Sequence, residues 1–326
     1  MTPEHSAREE TSSLDELTIP AAQTGIAVQR LGVTVQLCTA DGHLPVVRRA
    51  ALTVLREILD LAPGQFPWWM GGTDAKPRRI PEAGIERIFD SALPLIEQPD
   101  QLLSLSLVQR ENPPRWQAEA MMLAEDPRRS WLSHVTFSAP PSFALSNPQD
   151  YVQLVARWAQ ALRPHYGTAG LALVDQAGMA HHRGGAALPW LHRYPGLDCA
   201  PFNLQPKPAR YVAVNWLTVI GEPVIQALGG EEQIRSLLAL ASDTRGVEHP
   251  EILRYDGGMV IRASELPLLG DRSTADVPGP YRAVNAALRT ARFEEYPQGP
   301  NIHLIDAPRT SDRRQATLNW VRRFDD

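Results

Sequence analysis

Apolar and polar residues alternate from Leu31 to Leu37, with Val33 and Val35 on one side and Thr34 and Gln36 on the other. That period of two is the mark of a half-buried strand. Past the Asp41-Gly42 turn the period lengthens. Ala51, Val54, Leu55 and Ile58 recur at helical spacing and predict a helix over 45–61, with Pro45 in its first turn. Pro63-Gly64 ends it, and Trp68-Trp69 follow in what reads as a loop flanked by Gly and Pro. Ile85, Ile88, Phe89, Ala92 and Ile96 predict a second helix, entered at Pro81 and kinked or ended by Pro94.

The middle of the chain reads as strands. Leu103, Leu105 and Leu107 alternate with Ser104 and Ser106, 117–123 has β character, and Trp131, Ser133, Val135 and Phe137 share one face. Strands joined by turns and not by helices predict antiparallel pairing. Asn147-Pro148 then opens a helix, as N-cap and first-turn residue, with Tyr151, Val155, Trp158 and Leu162 as its buried stripe. The continuous apolar run 169–175 predicts a central strand. The stretch 178–207, rich in Gly, Pro and His, reads as a long irregular loop of the kind that often carries function.

After it come a β-prone run (212–220), short helices over 222–228 and 231–240, and a hairpin turn at Asp256-Gly257-Gly258 before a strand over 259–263. A helix led by Gly279-Pro280, a strand over 302–305 and a helix over 311–324 finish the chain. The sum is an α+β fold, mainly antiparallel sheet packed with helices, whose element order leaves room for two similar halves. Residues 1–30 are polar and aperiodic and predict a flexible lead-in; 31–326 predict one domain, with any sub-boundary near 140–147.

Composition narrows the function classes. Of 326 residues, 43% are hydrophobic and 21% charged, which excludes a disordered body. The net charge of −5 argues against direct contact with nucleic acid, which runs on clustered Lys and Arg, and suits a basic protein partner. No apolar run approaches the roughly 20 residues that cross a bilayer. Residues 1–16 lack the basic and apolar regions of a signal peptide, so the expected location is the cytoplasm, away from any membrane. Two cysteines, Cys38 and Cys199, are too few for a disulfide framework or a thiolate zinc site and are expected as small buried apolar groups.

Candidate chemistry is sparse. His181-His182, with His192 and Asp198, is the best case for a metal, but adjacent histidines on a strand point to opposite faces, and a polar loop is the better reading. Cys199 beside Asp198 would need a cationic neighbour to become reactive, and a buried structural thiol is the better reading. There is no nucleophile elbow, no phosphate-binding loop and no dinucleotide fingerprint. No catalytic residue, metal or cofactor is therefore expected. Arg309, Arg313, Arg314, Arg322 and Arg323 read as the solvated basic face of a docked terminal helix. Trp68 and Trp69 are candidate interface anchors, since Trp is enriched at binding hot spots.

Three segments carry a resemblance. The first is NPQDYVQLVARWAQALRPHYGTAGLAL (147–173). The second is RYPGLD (193–198) with VNWLTVIGEPVIQALGG (214–230). The third is GGMVIRASELPLLGDRS (257–273) running into PYRAVNAAL (280–288). The opening strand, the Pro-led helix with Arg48 and Arg49, and Trp68-Trp69 fit as well. In order and spacing these resemble a family of bacterial immunity proteins encoded beside nuclease toxins of type VI secretion, paired with VRR-NUC and related restriction-endonuclease-like effectors. The resemblance spans roughly residues 30–295 and implies stoichiometric neutralisation of a cognate nuclease, with no catalytic residues to carry over. Candidate contacts are the carboxylates of Glu231, Glu232, Asp256, Asp271, Glu294 and Glu295, at turns and helix starts. Two other readings stand beside it: a metal-dependent hydrolase using His181, His182 and Asp198 of the 178–207 loop, and a structural or adaptor protein of the secretion apparatus.

Overall fold

A computed structural model describes residues 14–21, 24–71, 74–81, 84–109, 111–126, 131–175, 186–199, 209–296 and 312–325. Its middle is set by two strands with almost no exposed position, β2 (Ala27–Thr39) and β8 (Tyr166–Val174). They pair antiparallel, Val33 opposite Leu171 and Val35 opposite Ala169. Strands buried along their whole length lie inside a sheet, with neighbours on both edges.

Beyond β2 the sheet continues through β7 (Ser133–Ala139), β6 (Gln117–Met122), β5 (Leu103–Val108) and β3 (Trp68–Gly71) to the edge strand β4 (Asp74–Arg79). Beyond β8 it continues through β9 (Leu217–Gly221) and β11 (Gly258–Arg262) to the edge strand β10 (Glu251–Tyr255). The short β1 (Thr18–Pro20) pairs with the start of β2, completing eleven strands among the described residues. Every strand pairing is antiparallel, as the turn-linked pattern predicted.

Register sorts the side chains into rows that cross the sheet. Leu107, Ala118, Phe137, Val35, Ala169 and Leu217 form one row, and Ser106, Glu119, Thr136, Gln36, Thr168 and Thr218 form the next. Neighbouring rows face opposite ways, so one face is apolar and the other polar. Helices α1 (Pro45–Leu61) and α4 (Pro148–Leu162) pack with the apolar side: Trp158 meets Phe137 edge-on at 5.6 Å, and both helices bury an apolar stripe. Each large side chain so covered contributes about 1.5–3 kcal/mol.

Arg48 locks α1 to its surroundings. Its side chain is fully buried, and its guanidinium donates to the carbonyls of Gly42 (3.0 Å), Gln98 (2.7 Å), Gln101 (2.6 Å) and Leu95.

The remaining helices are α2 (Glu86–Ala92), α3 (Pro141–Leu145), α5 (Leu188–Arg193), α6 (Glu222–Ala227), α7 (Glu231–Arg245), α8 (Gly279–Leu288) and α9 (Arg313–Val321). No helix among the described residues is long and apolar enough to cross a membrane.

Several expectations need correcting. The sheet takes in residues before Leu31, because Ile19 is a buried core side chain and β2 starts at Ala27. Trp68 and Trp69 lie on a strand, opposite Val108 and Leu107 of β5, and not in a loop; paired backbone outweighs the flanking Gly and Pro. The helix expected from Pro81 reduces to α2, followed by a 3-10 turn over Leu93–Glu97 with Pro94 at its start. Asn147 occupies the N-cap of α4 without a side-chain capping bond. Within 212–220 only the end pairs, as β9. The terminal helix is shorter than expected, and its basic residues are not one solvated face. Arg323 is buried and donates to the carbonyls of Pro195 (2.8 Å), Val214 (2.8 Å) and Trp320 (3.2 Å). The strand expected over 302–305, Arg309, and most of the 178–207 loop lie outside the described residues.

Candidate functional site

Asp198 is where the polar row of the sheet meets the loop that follows α5. It is 2% exposed. Thr168 Oγ1 donates to its Oδ2 at 2.7 Å, Asn215 Nδ2 to the same oxygen at 3.1 Å, and the Cys199 N–H to Oδ1 at 3.0 Å. Asn215 Oδ1 accepts the Trp216 N–H at 2.7 Å. Gly170 makes room for this, since a Cβ there would stand 2.5 Å from Asn215 Oδ1.

Trp216 extends the joint: its Nε1 donates to the Ser264 carbonyl at 2.8 Å and its ring stacks on Tyr151 at 5.6 Å. Gly196 donates its N–H to the Leu269 carbonyl at 2.8 Å, and a Cβ on it would fall 1.9 Å from the Leu268 oxygen. The three segments singled out in the sequence therefore interlock through Tyr151, Thr168 and Gly170 from the first, Gly196, Asp198, Asn215 and Trp216 from the second, and Ser264, Leu268 and Leu269 from the third. Their residues build the scaffold.

This joint suits holding and not reacting. The Asp198 carboxylate is buried and engaged by three donors, which leaves it a poor base or metal ligand. His192 sits exposed on α5, while His181 and His182 lie outside the described residues. Among the described residues no group of three or more His, Cys, Asp or Glu is placed to hold a metal ion. Burial pushes the Cys38 thiol up to about 12. Burial, with Asp198 beside it, also raises the Cys199 thiol well above its ordinary value. Both disfavour the nucleophilic thiolate.

Farther along the polar face lies a trio that sequence reasoning missed: Ser106 and Glu119, opposite each other on β5 and β6, and His134 two residues before Thr136 on β7. Ser106 Oγ donates to Glu119 Oε1 at 3.1 Å, and His134 Nε2 stands 3.7 Å from Oε2. Burial pushes the Glu119 carboxyl up, but His134 and Ser106 outweigh it and hold it below its ordinary value. The acid lies between the hydroxyl and the imidazole. A nucleophilic triad needs the imidazole in that place, so the trio stabilises a half-buried carboxylate. Alternation in the sequence separated Ser106 from the leucines of its strand and His134 from the Ser133, Val135 and Phe137 face; the strand order that joins them to Glu119 was not legible.

The candidate contact residues do not form one patch. Glu231, at the start of α7, pairs with Arg235 (2.6 Å) and Arg254 (3.1 Å); Arg254 also reaches Glu222 at 3.5 Å. Asp256, in the β10–β11 turn, pairs with Arg163, and its N–H donates to Gln160 Oε1 at 3.0 Å. Glu222 donates its N–H to the Gly257 carbonyl, so Glu231 and Asp256 share one end of the sheet, and Glu232 is exposed beside Glu231.

Asp271 lies elsewhere. It caps a 3-10 turn and pairs with Arg193 at 2.8 Å, and that guanidinium, with Ser273, holds its carboxyl well below the usual range. Glu294 pairs with Arg322 and with the buried Arg292, which also binds Asp325 at 2.7 Å; Glu295 next to it is exposed. Trp68 and Trp69 are half-buried on β3, and Arg78 lies over the Trp69 ring at 5.5 Å.

Comparison with known proteins accords with this picture. A family model described as "TsiV: Type VI immunity for VRR-NUC" matches residues 69–324. No curated protein matches. Among solved structures, one titled "Pseudomonas aeruginosa T6SS protein PA0821" superposes with a TM-score of 0.79 at 23% sequence identity, covering 99% of this chain and 91% of that one. At that identity the likeness is one of fold.

Proposed function

Because the chain belongs to the TsiV family, type VI immunity for VRR-NUC, we propose that it neutralises a nuclease effector by forming a one-to-one complex with it and makes or breaks no bond itself. The family match over 69–324 carries this reading. The engaged, buried state of Asp198 and the acid-centred order of the Ser106 trio support the part that denies catalysis. A nuclease does its damage where DNA is, so the complex has to form in the cytoplasm, and the partner is the enzyme and not DNA.

Equimolar titration tests the proposal. DNA cleavage by the cognate nuclease should fall in proportion to added chain and vanish at equivalence. Full inhibition far below equivalence would mean that the chain turns the toxin over, and unprotected cells would remove the immunity reading altogether.

Glu231, Glu232, Asp256, Asp271, Glu294 and Glu295 remain the proposed acidic contacts, with Trp68 and Trp69 as anchors. The group at the start of α7 and the β10–β11 turn ranks first. Glu232 and Asp256 are exposed there, whereas Asp271 and Glu294 have most of their carboxylate surface covered by arginines. Reversing Glu232 and Asp256 to lysine should slow association and steepen dissociation from a basic nuclease surface. An unchanged affinity would exclude this end of the sheet.

A further inference from the structure

The two edges of the sheet differ. Along β4 the exposed residues are Lys76, Pro77, Arg78 and Arg79. Proline has no N–H to offer and like charges repel a second copy, which are common guards of a free edge. At the other edge β10 reads Glu-Ile-Leu-Arg-Tyr, without proline or lysine, and Ile252 and Leu253 are only half-buried. No described strand pairs with its outer side.

The hairpin fixes which backbone groups point outward. Tyr255 and Gly258 close a two-residue turn, and such a closing pair is hydrogen-bonded, with the pattern alternating along the ladder. Leu253 and Glu251 therefore bond toward β11, while the N–H and C=O of Ile252 and Arg254 face away. The Arg254 side chain is held back over its own sheet by the Gly258 carbonyl (3.0 Å), Glu231 (3.1 Å) and Glu222 (3.5 Å).

We propose that β10 is a self-pairing edge through which a second copy of this chain extends the sheet, about a two-fold axis at Leu253. In an antiparallel join, outward-facing residues must meet outward-facing residues. Arg254 against the second copy's Arg254 sets Ile252 opposite Asp256, which lies in the turn beyond the strand. Ile252 against Ile252 sets Arg254 opposite Pro250, which has no N–H. Ile252 against Arg254 is the register that remains. There both residues of both copies exchange their outward N–H and C=O groups, Leu253 meets Leu253, and Glu251 meets Tyr255. An edge this short makes a dimer that assembles as concentration rises.

Sedimentation equilibrium of the full chain without any effector keeps this test separate from the proposed immunity function. The mass should rise with concentration from 36.1 kDa toward twice that value. Ile252→Pro, which removes an outward N–H and no ladder bond, should keep the chain monomeric with its circular dichroism unchanged. Under oxidation Leu253→Cys should give a covalent dimer, because facing residues of a non-hydrogen-bonded pair have Cα atoms about 4.5 Å apart, within disulfide reach. Glu251→Cys should not link, and the unsubstituted chain controls for Cys38 and Cys199. A monomer into the millimolar range, equal linking by both variants, or a dimer that survives Ile252→Pro overturns the proposal. If Ile252→Pro leaves the mass unchanged and abolishes nuclease binding, the edge takes a strand of the effector and self-pairing is wrong.

Discussion

Arg292 shows how much of this chain's polar chemistry is structural. Its side chain is 1% exposed and is shared between Glu294 and Asp325. Arg292→Ala leaves both carboxylates facing a cavity and should cost about 3–5 kcal/mol, read as a shift in urea unfolding. The pair also sets a pH dependence. Arg322 and Arg292 hold the Glu294 carboxyl below its ordinary 4.5; Asp325 is pushed up by burial but pulled below 3.8 by Arg292 and Asn285. A depressed carboxyl contributes stability that is complete above its unfolded value and is lost as pH falls through the folded one. The gap between wild type and Arg292→Ala should therefore shrink between about pH 5 and pH 2. A gap that is flat with pH would assign the loss to packing alone. Arg323 is a different case, surrounded by carbonyls and with burial pushing it down to about 10. Arg323→Lys should destabilise despite the retained charge, because an ammonium cannot reach the fork of carbonyls from Pro195 and Val214.

At the scale of elements, the joint between the loop after α5, the start of β9 and the segment after β11 is held by close backbone approach. Gly196→Ala puts a Cβ against the Leu268 oxygen, and a main-chain shift is the only relief. A loss of about 1–3 kcal/mol is expected, seen as a lower thermal midpoint, with nuclease affinity per folded molecule unchanged. Reduced affinity with normal stability would mean that this joint is part of the contact surface. The β3–β4 hairpin has the opposite expectation. If Trp68 anchors the complex, Trp68→Ala should weaken nuclease binding by about 2 kcal/mol or more, near 30-fold, with a smaller change in unfolding. Equal losses in binding and stability would mark Trp68 as a core residue.

For the molecule as a whole, the helical stripes, a central strand over 169–175 (Tyr166–Val174 in the fold) and the antiparallel class were legible because each depends on a local period or an apolar run that reports burial. The Tyr151, Val155, Trp158 and Leu162 stripe is buried as predicted. Family membership was legible for a related reason. The segments that carry it are the interlocking parts of the scaffold, where Gly170, Gly196, Asn215 and Trp216 each answer a steric or hydrogen-bonding demand. What the chain order by itself could not decide is which distant residues become neighbours. Ser106, Glu119 and His134 meet only because β5, β6 and β7 lie side by side in register. Asp198 changes from a candidate ligand to a buried acceptor only when Thr168 arrives from β8 and Asn215 from the segment before β9. Arg323 changes from surface charge to core clamp for the same reason. Periodicity is a property of neighbours along the chain, whereas charge, exposure and reactivity are properties of neighbours in space, and only the folded sheet creates those.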